Sequence, residues 1–168
     1  MTRLSFLAAV LVTFTAFAQP KAAAAPKLSA NKEATLAVSR AIAAAELGGK
    51  AEALLAKDFK YHGPAGMELE TQGYVGFMAQ LNASFSDMKM NFTQVVEEGD
   101  LVGVHYTNTF IFKNAYNGIP PTGKPVTITG TFIRKVVNGK VAEEWDNPDL
   151  LGLMQQIGAI PPPPAAKR

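Results

Sequence analysis

The chain has 168 residues, 16 of them basic and 14 acidic, with a net charge of +2, two histidines and no cysteine. So even a balance leaves no electrostatic footprint for nucleic acid or anionic membrane. Without cysteine there are no disulfides or thiolate metal sites, and two histidines are too few for a histidine-rich metal centre.

The chain opens "MTRLSFLAAVLVTFTAFAQP", with basic Arg3, an apolar run and the small-residue pattern Ala16-Phe17-Ala18. This predicts a secretory signal peptide over residues 1–18, cleaved before Gln19. The run is short and early for a spanning helix, and a retained N-terminal anchor is the weaker reading. Loss of Arg3 leaves 15 basic against 14 acidic residues. The mature protein is expected to be periplasmic or secreted, with no membrane attachment after cleavage. Residues 19–30, rich in Ala, Pro and Lys, read as a tether. The Pro-rich tail 161–168 cannot continue a helix. One domain is left, residues 31–160.

Asn31 is a good cap for a helix running to about Leu47, where Gly48-Gly49 supplies a stop. A second short helix carries Leu54 and Leu55 and leads into "KDFKYHGP". The third is clearer: Tyr74, Phe77, Met78, Leu81 and Phe85 share one face, behind Thr71 as cap. The period then drops to two. Met88, Met90, Phe92, Gln94 and Val96 alternate with polar residues, predicting a half-buried strand. "EEGD" turns the chain into the strand "LVGVHYTNTFIF" (101–112), and a loop with Asn117-Gly118 and Pro120-Pro121 follows. "VTITGTFIRKVV" (126–137) is the next strand, with Gly130 expected at a bulge or bend. Asn138-Gly139 makes a two-residue hairpin. Helices, an antiparallel meander and a terminal helix define an α+β layout, with helices on one face of a curved sheet.

That hairpin sets a register in which Phe132 faces Trp145, Arg134 faces Glu143 and Val136 faces Val141. The row is the more aromatic one and is expected to face inward. An aromatic wall with a few polar groups is what a small-molecule cavity needs. Past Trp145, Asn147 is a good N-cap, Pro148 suits the first helical position, and Asp149 complements the helix dipole. Asp149 thus has a structural explanation, and Asp146 reads as a polar residue at a strand end. His105 reads as a sheet-surface or packed histidine, and Met78, Met88, Met90 and Met154 as core.

Three stretches, "KDFKYHGP", "TQGYVGFMAQLNASFSDMKMNFTQVVEEGDLVGVHYT" and "NGIPPTGKPVTITGTFIRKVVNGKVAEEWDNPDLLGLMQQIG", together resemble the SnoaL-like polyketide cyclases, often labelled ester cyclases. The resemblance implies the cone-shaped α+β barrel shared with nuclear transport factor and ketosteroid isomerase. In that fold three N-terminal helices pack on a strongly curved antiparallel sheet, with a short C-terminal helix, and homodimers are common. It also implies cofactor-free chemistry, in which an aspartate acts as acid and base in an intramolecular aldol closure. By position that aspartate is most similar to Asp149, four residues after Trp145. His62 matches the family's histidine after the second helix and is the expected donor. Tyr106 and Arg134 are further donors, and Trp145, Phe132, Phe112 and Glu143 complete the expected pocket for a small hydrophobic ligand.

One departure stands out. Many relatives carry Gly-Thr-His in the long strand, eight residues before the proline of the Pro-Pro-Thr-Gly loop, where this chain has Phe112. His105 lies seven residues upstream and so on the opposite face. Loss of that polar group favours apolar ligand binding. Three readings result: a cyclase, isomerase or hydrolase acting on a small hydrophobic carbonyl compound; an exported, non-catalytic binder of such a molecule; or a dimeric interaction module with a vestigial cavity.

Overall fold

The computed structural model describes residues 27–161. The expected signal peptide, most of the tether and nearly all of the tail lie outside the described residues. In chain order the elements are α1 (Ala30–Ala43), α2 (Leu47–Leu54), β1 (Leu55–His62), a 3-10 turn (Pro64–Gly66), β2 (Glu68–Glu70), α3 (Thr71–Ser84), β3 (Phe85–Glu98), β4 (Leu101–Phe112), β5 (Pro125–Val137), β6 (Lys140–Pro148) and α4 (Leu150–Gln156).

Helix α1 starts two residues earlier than the Asn31 cap predicts. The Ser29 hydroxyl accepts from the Lys32 N–H and so takes that role. The helix also ends sooner, since Ala45 turns to a left-handed φ of 58° and the Glu46 N–H reaches back to the Ala41 carbonyl. Gly48 and Gly49, the expected stop, lie instead in the first turn of α2. Burial of Leu47 and Ala51 outweighs their poor helix propensity. Helix α3 begins at Thr71, behind Glu70, with no side-chain cap.

The six strands form one open sheet in the order β2-β1-β6-β5-β4-β3. The expected antiparallel sheet is in fact mixed. β1 runs parallel to β6, which the chain reaches only after β2, α3 and the three strands β3, β4 and β5. The inward face of β4 is a continuous row, Val102, Val104, Tyr106, Asn108, Phe110 and Phe112, all buried. Gly130 is no bulge, since β5 keeps unbroken register with β4 across it. Edge strand β3 breaks register twice, once at Asp87 (φ 55°) and once between Phe92 and Gln94. The second break inverts the alternation expected there, and Val96 ends up 65% exposed.

The β5–β6 hairpin turns where the sequence says it does. Asn138 and Gly139 both have positive φ, and Val137 faces Lys140 with Val136 facing Val141. One extra residue, Ala142, then bulges from β6. Beyond it Arg134 faces Glu144 rather than Glu143, and Phe132 faces Asp146 rather than Trp145. A one-residue slip exchanges the two faces of a strand. Val141 and Glu144 are therefore both buried although three apart, an interval that regular alternation forbids.

Apolar residues gather in two clusters along the concave face. The larger joins α1, α2 and α3 to β1, β4, β5 and β6 through Val38, Phe59, Tyr61, Tyr74, Val104 and Phe132. The smaller joins β3, β4 and β5 to α4 through Phe85, Phe110, Phe112, Leu153 and Ile157. A cavity lies along both.

Candidate active site

Asp146 is brought to the cavity by the Ala142 bulge and held there by two tyrosines. The Tyr106 hydroxyl donates to Oδ1 at 3.1 Å and the Tyr61 hydroxyl to Oδ2 at 3.4 Å. Each ring crosses a glycine. A Cβ on Gly130 would lie 2.3 Å from the Tyr106 oxygen, and one on Gly63 would lie 2.5 Å from the Tyr61 ring. These two positions lack a side chain because a phenol occupies the space.

Behind Asp146 sits a buried ion pair. Arg134 Nε donates to Glu144 Oε2 at 2.8 Å, and the Tyr74 hydroxyl donates to the same oxygen at 3.0 Å. The guanidinium also donates to Ser39 Oγ at 2.8 Å and to the Thr35 carbonyl, and lies 4.2 Å from the centre of the Phe132 ring. Arg134 and Glu144 are 1% and 2% exposed, so the pair is held by hydrogen bonds on several sides, as a buried pair must be. Burial works against the Arg134 charge more than any one neighbour favours it, but Glu144, Tyr74 and Asp146 together outweigh it and the net pKa stands above the usual guanidinium value.

These surroundings govern proton affinity. Burial, then the nearby Glu144 charge, push the Asp146 carboxyl from 3.8 up to about 7, against the opposing pull of the tyrosine hydrogen bonds and Arg134. Burial, and next the Asp146 charge, drive both Tyr61 and Tyr106 well above the ordinary phenol range. Both phenols therefore stay protonated and donating. A carboxyl poised near neutrality between two fixed donors can take a proton and return it.

The cavity encloses about 110 Å³. Drug-sized ligand pockets span roughly 300–1,000 Å³, so this one suits a compact molecule. Its polar end is Asp146 with Tyr61 and Tyr106, and Met78, Phe110 and Leu153 are among its apolar walls. Among the described residues no cluster of three or more His, Asp or Glu is arranged to hold a metal.

Of the residues predicted from sequence, Tyr106, Phe132 and Arg134 line the cavity. The others lie elsewhere. Asp149 is exposed, and its Oδ1 accepts from the Gly152 N–H at 2.8 Å, so it, rather than Asn147, is the N-cap of α4. Trp145 and Glu143 are on the reverse face of β6, turned there by the bulge. His62 joins them, stacked on Trp145 with centroids 5.4 Å apart and bonded through Nε2 to Glu143 at 2.9 Å. His62 and Asp149 therefore form no pair. Phe112 is fully buried in the smaller cluster rather than on the cavity wall. His105 is exposed and bonded to Thr93. Sequence reasoning missed Asp146, Glu144, Tyr61 and Tyr74. The available signal was the alternation Phe59, Tyr61 in β1, matched by the two acids Glu144 and Asp146 two residues apart in β6.

Helices on the concave face of an open, curved α+β sheet define the nuclear-transport-factor-like fold. An NTF2-like protein of unknown function from Burkholderia pseudomallei superposes with a TM-score of 0.63 at 18% identity, covering 77% of this chain and 98% of its own. The chain belongs to the SnoaL-like polyketide cyclase family, whose sequence profile matches residues 34–157. AclR from Streptomyces galilaeus, provisionally described as a hydroxylase, is similar at 24% identity and TM-score 0.70, covering 78% of this chain and 97% of AclR. IdmH from Streptomyces antibioticus, provisionally described as a polyketide cyclase, is similar at 24% identity and TM-score 0.68, covering 76% and 98%. No curated protein sequence matches the chain.

Proposed function

We propose that the protein carries out cofactor-independent acid–base chemistry on a compact hydrophobic carbonyl compound, with Asp146 as the base. One observation carries this reading: a carboxyl poised near neutral pH stands in an apolar cavity between two tyrosine donors. Ionised Asp146 removes a proton from the carbon beside the carbonyl, and the electron pair moves onto the carbonyl oxygen. The negative charge leaves Asp146 in that step, which weakens its hold on the two tyrosine hydroxyls. One of them then turns its hydrogen bond to the enolate oxygen, where the charge has gone. Protonated Asp146 returns the proton to carbon in an isomerisation. Where a second carbonyl of the same molecule lies within reach, the enolate carbon attacks it instead and closes a ring, the second C=O π pair moves to its oxygen, and that alkoxide takes the proton from Asp146.

The test is hydrogen–deuterium exchange at the α-carbon of small ketones in deuterated buffer, followed by proton NMR. Wild-type protein is expected to catalyse the exchange, and Asp146→Asn to lose it by about 10²–10⁴-fold. Catalysed exchange that survives intact in Asp146→Asn removes the assignment.

Buried Phe112, in place of the relatives' histidine, favours a second reading. The cavity would then bind the same class of molecule without turning it over, and binding without catalysed exchange would distinguish it. On either reading, the signal expected at residues 1–18 supports action outside the cytoplasm.

A further inference from the structure

The inward row of β4 is apolar or aromatic apart from one carboxamide. Asn108 is 6% exposed, lines the cavity, and its Oδ1 has no hydrogen-bond partner. Its neighbours across the sheet are Met90 on β3 and Ile128 on β5, and neither side chain can donate to it. Leaving a buried acceptor unmet is costly, whereas an apolar residue of the same size would satisfy this row at no such cost. The group is therefore destabilising in the empty protein and becomes useful only when something in the cavity donates to it.

We propose that Asn108 is a specificity-determining residue that accepts a hydrogen bond from a hydroxyl on the substrate, at the end remote from the reacting carbonyl. This rests on the cavity being the substrate site, but not on Asp146 being a base. The geometry fixes which end is bonded. Asn108 pairs with Ile128, while Asp146 pairs with Phe132, four residues along the same strand. Four residues of strand span roughly 13 Å, and side chains converging on a concave face shorten that gap. The two polar points thus stand at different levels of one cavity, separated by apolar wall. The molecule they select is compact, with a carbonyl at one end and a hydroxyl at the other.

A matched pair of probes tests this. 4-Hydroxybutan-2-one and butan-2-one, both small enough for the cavity, differ only in the terminal hydroxyl, and their affinities are measured by calorimetric titration. Wild-type protein is expected to prefer the hydroxylated ketone by roughly 3- to 10-fold, the value of one neutral hydrogen bond. Asn108→Leu is expected to abolish or reverse the preference while raising the melting temperature of the ligand-free protein by a few °C, since it removes the unmet acceptor. Asn108→Ala provides the same comparison should the larger leucine disturb folding. Asp146→Asn is expected to keep the preference, which separates this proposal from the catalytic one. An equal preference in wild type and both Asn108 variants, or failure of wild type to bind the hydroxylated ketone more tightly, overturns the proposal.

Discussion

Replacing Asp146 with asparagine should change how stability depends on pH, and the sign follows from the site. A carboxyl near 3.8 in the unfolded chain and near 7 in the folded one binds more protons when folded over the interval between. Its contribution to stability is therefore full below about pH 4 and is lost as pH rises through about 7. At about 1.36 kcal/mol per tenfold change in proton affinity, the interval amounts to about 4 kcal/mol. Part exposure of the side chain and sharing with Glu144 bring this to about 2–4 kcal/mol. Asparagine keeps the shape, but its amide meets one tyrosine hydroxyl as donor against donor, at a pH-independent cost of about 1 kcal/mol. The informative quantity is thus the difference between variant and wild type as a function of pH. Urea unfolding followed by circular dichroism at pH 5, 6, 7 and 8 should show Asp146→Asn gaining about 1–2.5 kcal/mol on wild type across the series, the part of the interval that lies above pH 5. A difference that stays constant from pH 5 to pH 8 would falsify the claim that this carboxyl is poised by its surroundings. The wild-type rate of α-proton exchange should rise over the same range and level off above about pH 7, as the basic form accumulates.

Three further outcomes are expected. Asp149→Ala should lose the α4 cap, lowering stability by about 1 kcal/mol, while α-proton exchange stays within about twofold; a loss approaching the 10²-fold expected of a general base would return the catalytic role to Asp149. Gly130→Ala places a methyl in the space of the Tyr106 hydroxyl. It should cost about 1–3 kcal/mol in thermal or urea unfolding and slow exchange about tenfold, and a variant matching wild type in both assays would mean the recess has no role in placing Tyr106. Mass spectrometry of the mature protein should find an N-terminus at or near Gln19, whereas soluble cytoplasmic protein retaining Met1 would count against export.

Local chemistry was legible in the sequence, and the contents of the site were not. The span of β4 and the Asn138-Gly139 turn could be read because each follows from a few neighbouring residues. The Ala142 bulge leaves no such mark, since an extra residue in one strand is defined only against its partner. A register carried past it put Trp145 and Glu143 in the cavity and left Asp146 outside, the reverse of the structure. Both misfaced side chains have this one origin, whereas the strand itself runs on through Asn147 and Pro148, the residues expected to start the helix. Asp149 was misplaced for a different reason. A helix N-terminus offers an aspartate a competing role as cap, and the Gly152 N–H takes up the carboxylate that the family resemblance assigns to catalysis. His62 follows from the mixed sheet, because parallel pairing with β6 sets it beside Trp145 on the outer face.

The two register breaks in β3 bear on a hazard separate from ligand or catalysis. An open sheet ends in strands whose outer backbone groups have no partner, and β3, at 14 residues, is a long one. A straight edge of that length is a template on which another chain can add a strand. The kinks at Asp87 and between Phe92 and Gln94 divide it into short segments that no straight partner can follow. Lys89 and the acids Glu97 and Glu98 add charge along it. The irregularities that make β3 hard to read from sequence thus also guard the protein against polymerising through its own edge.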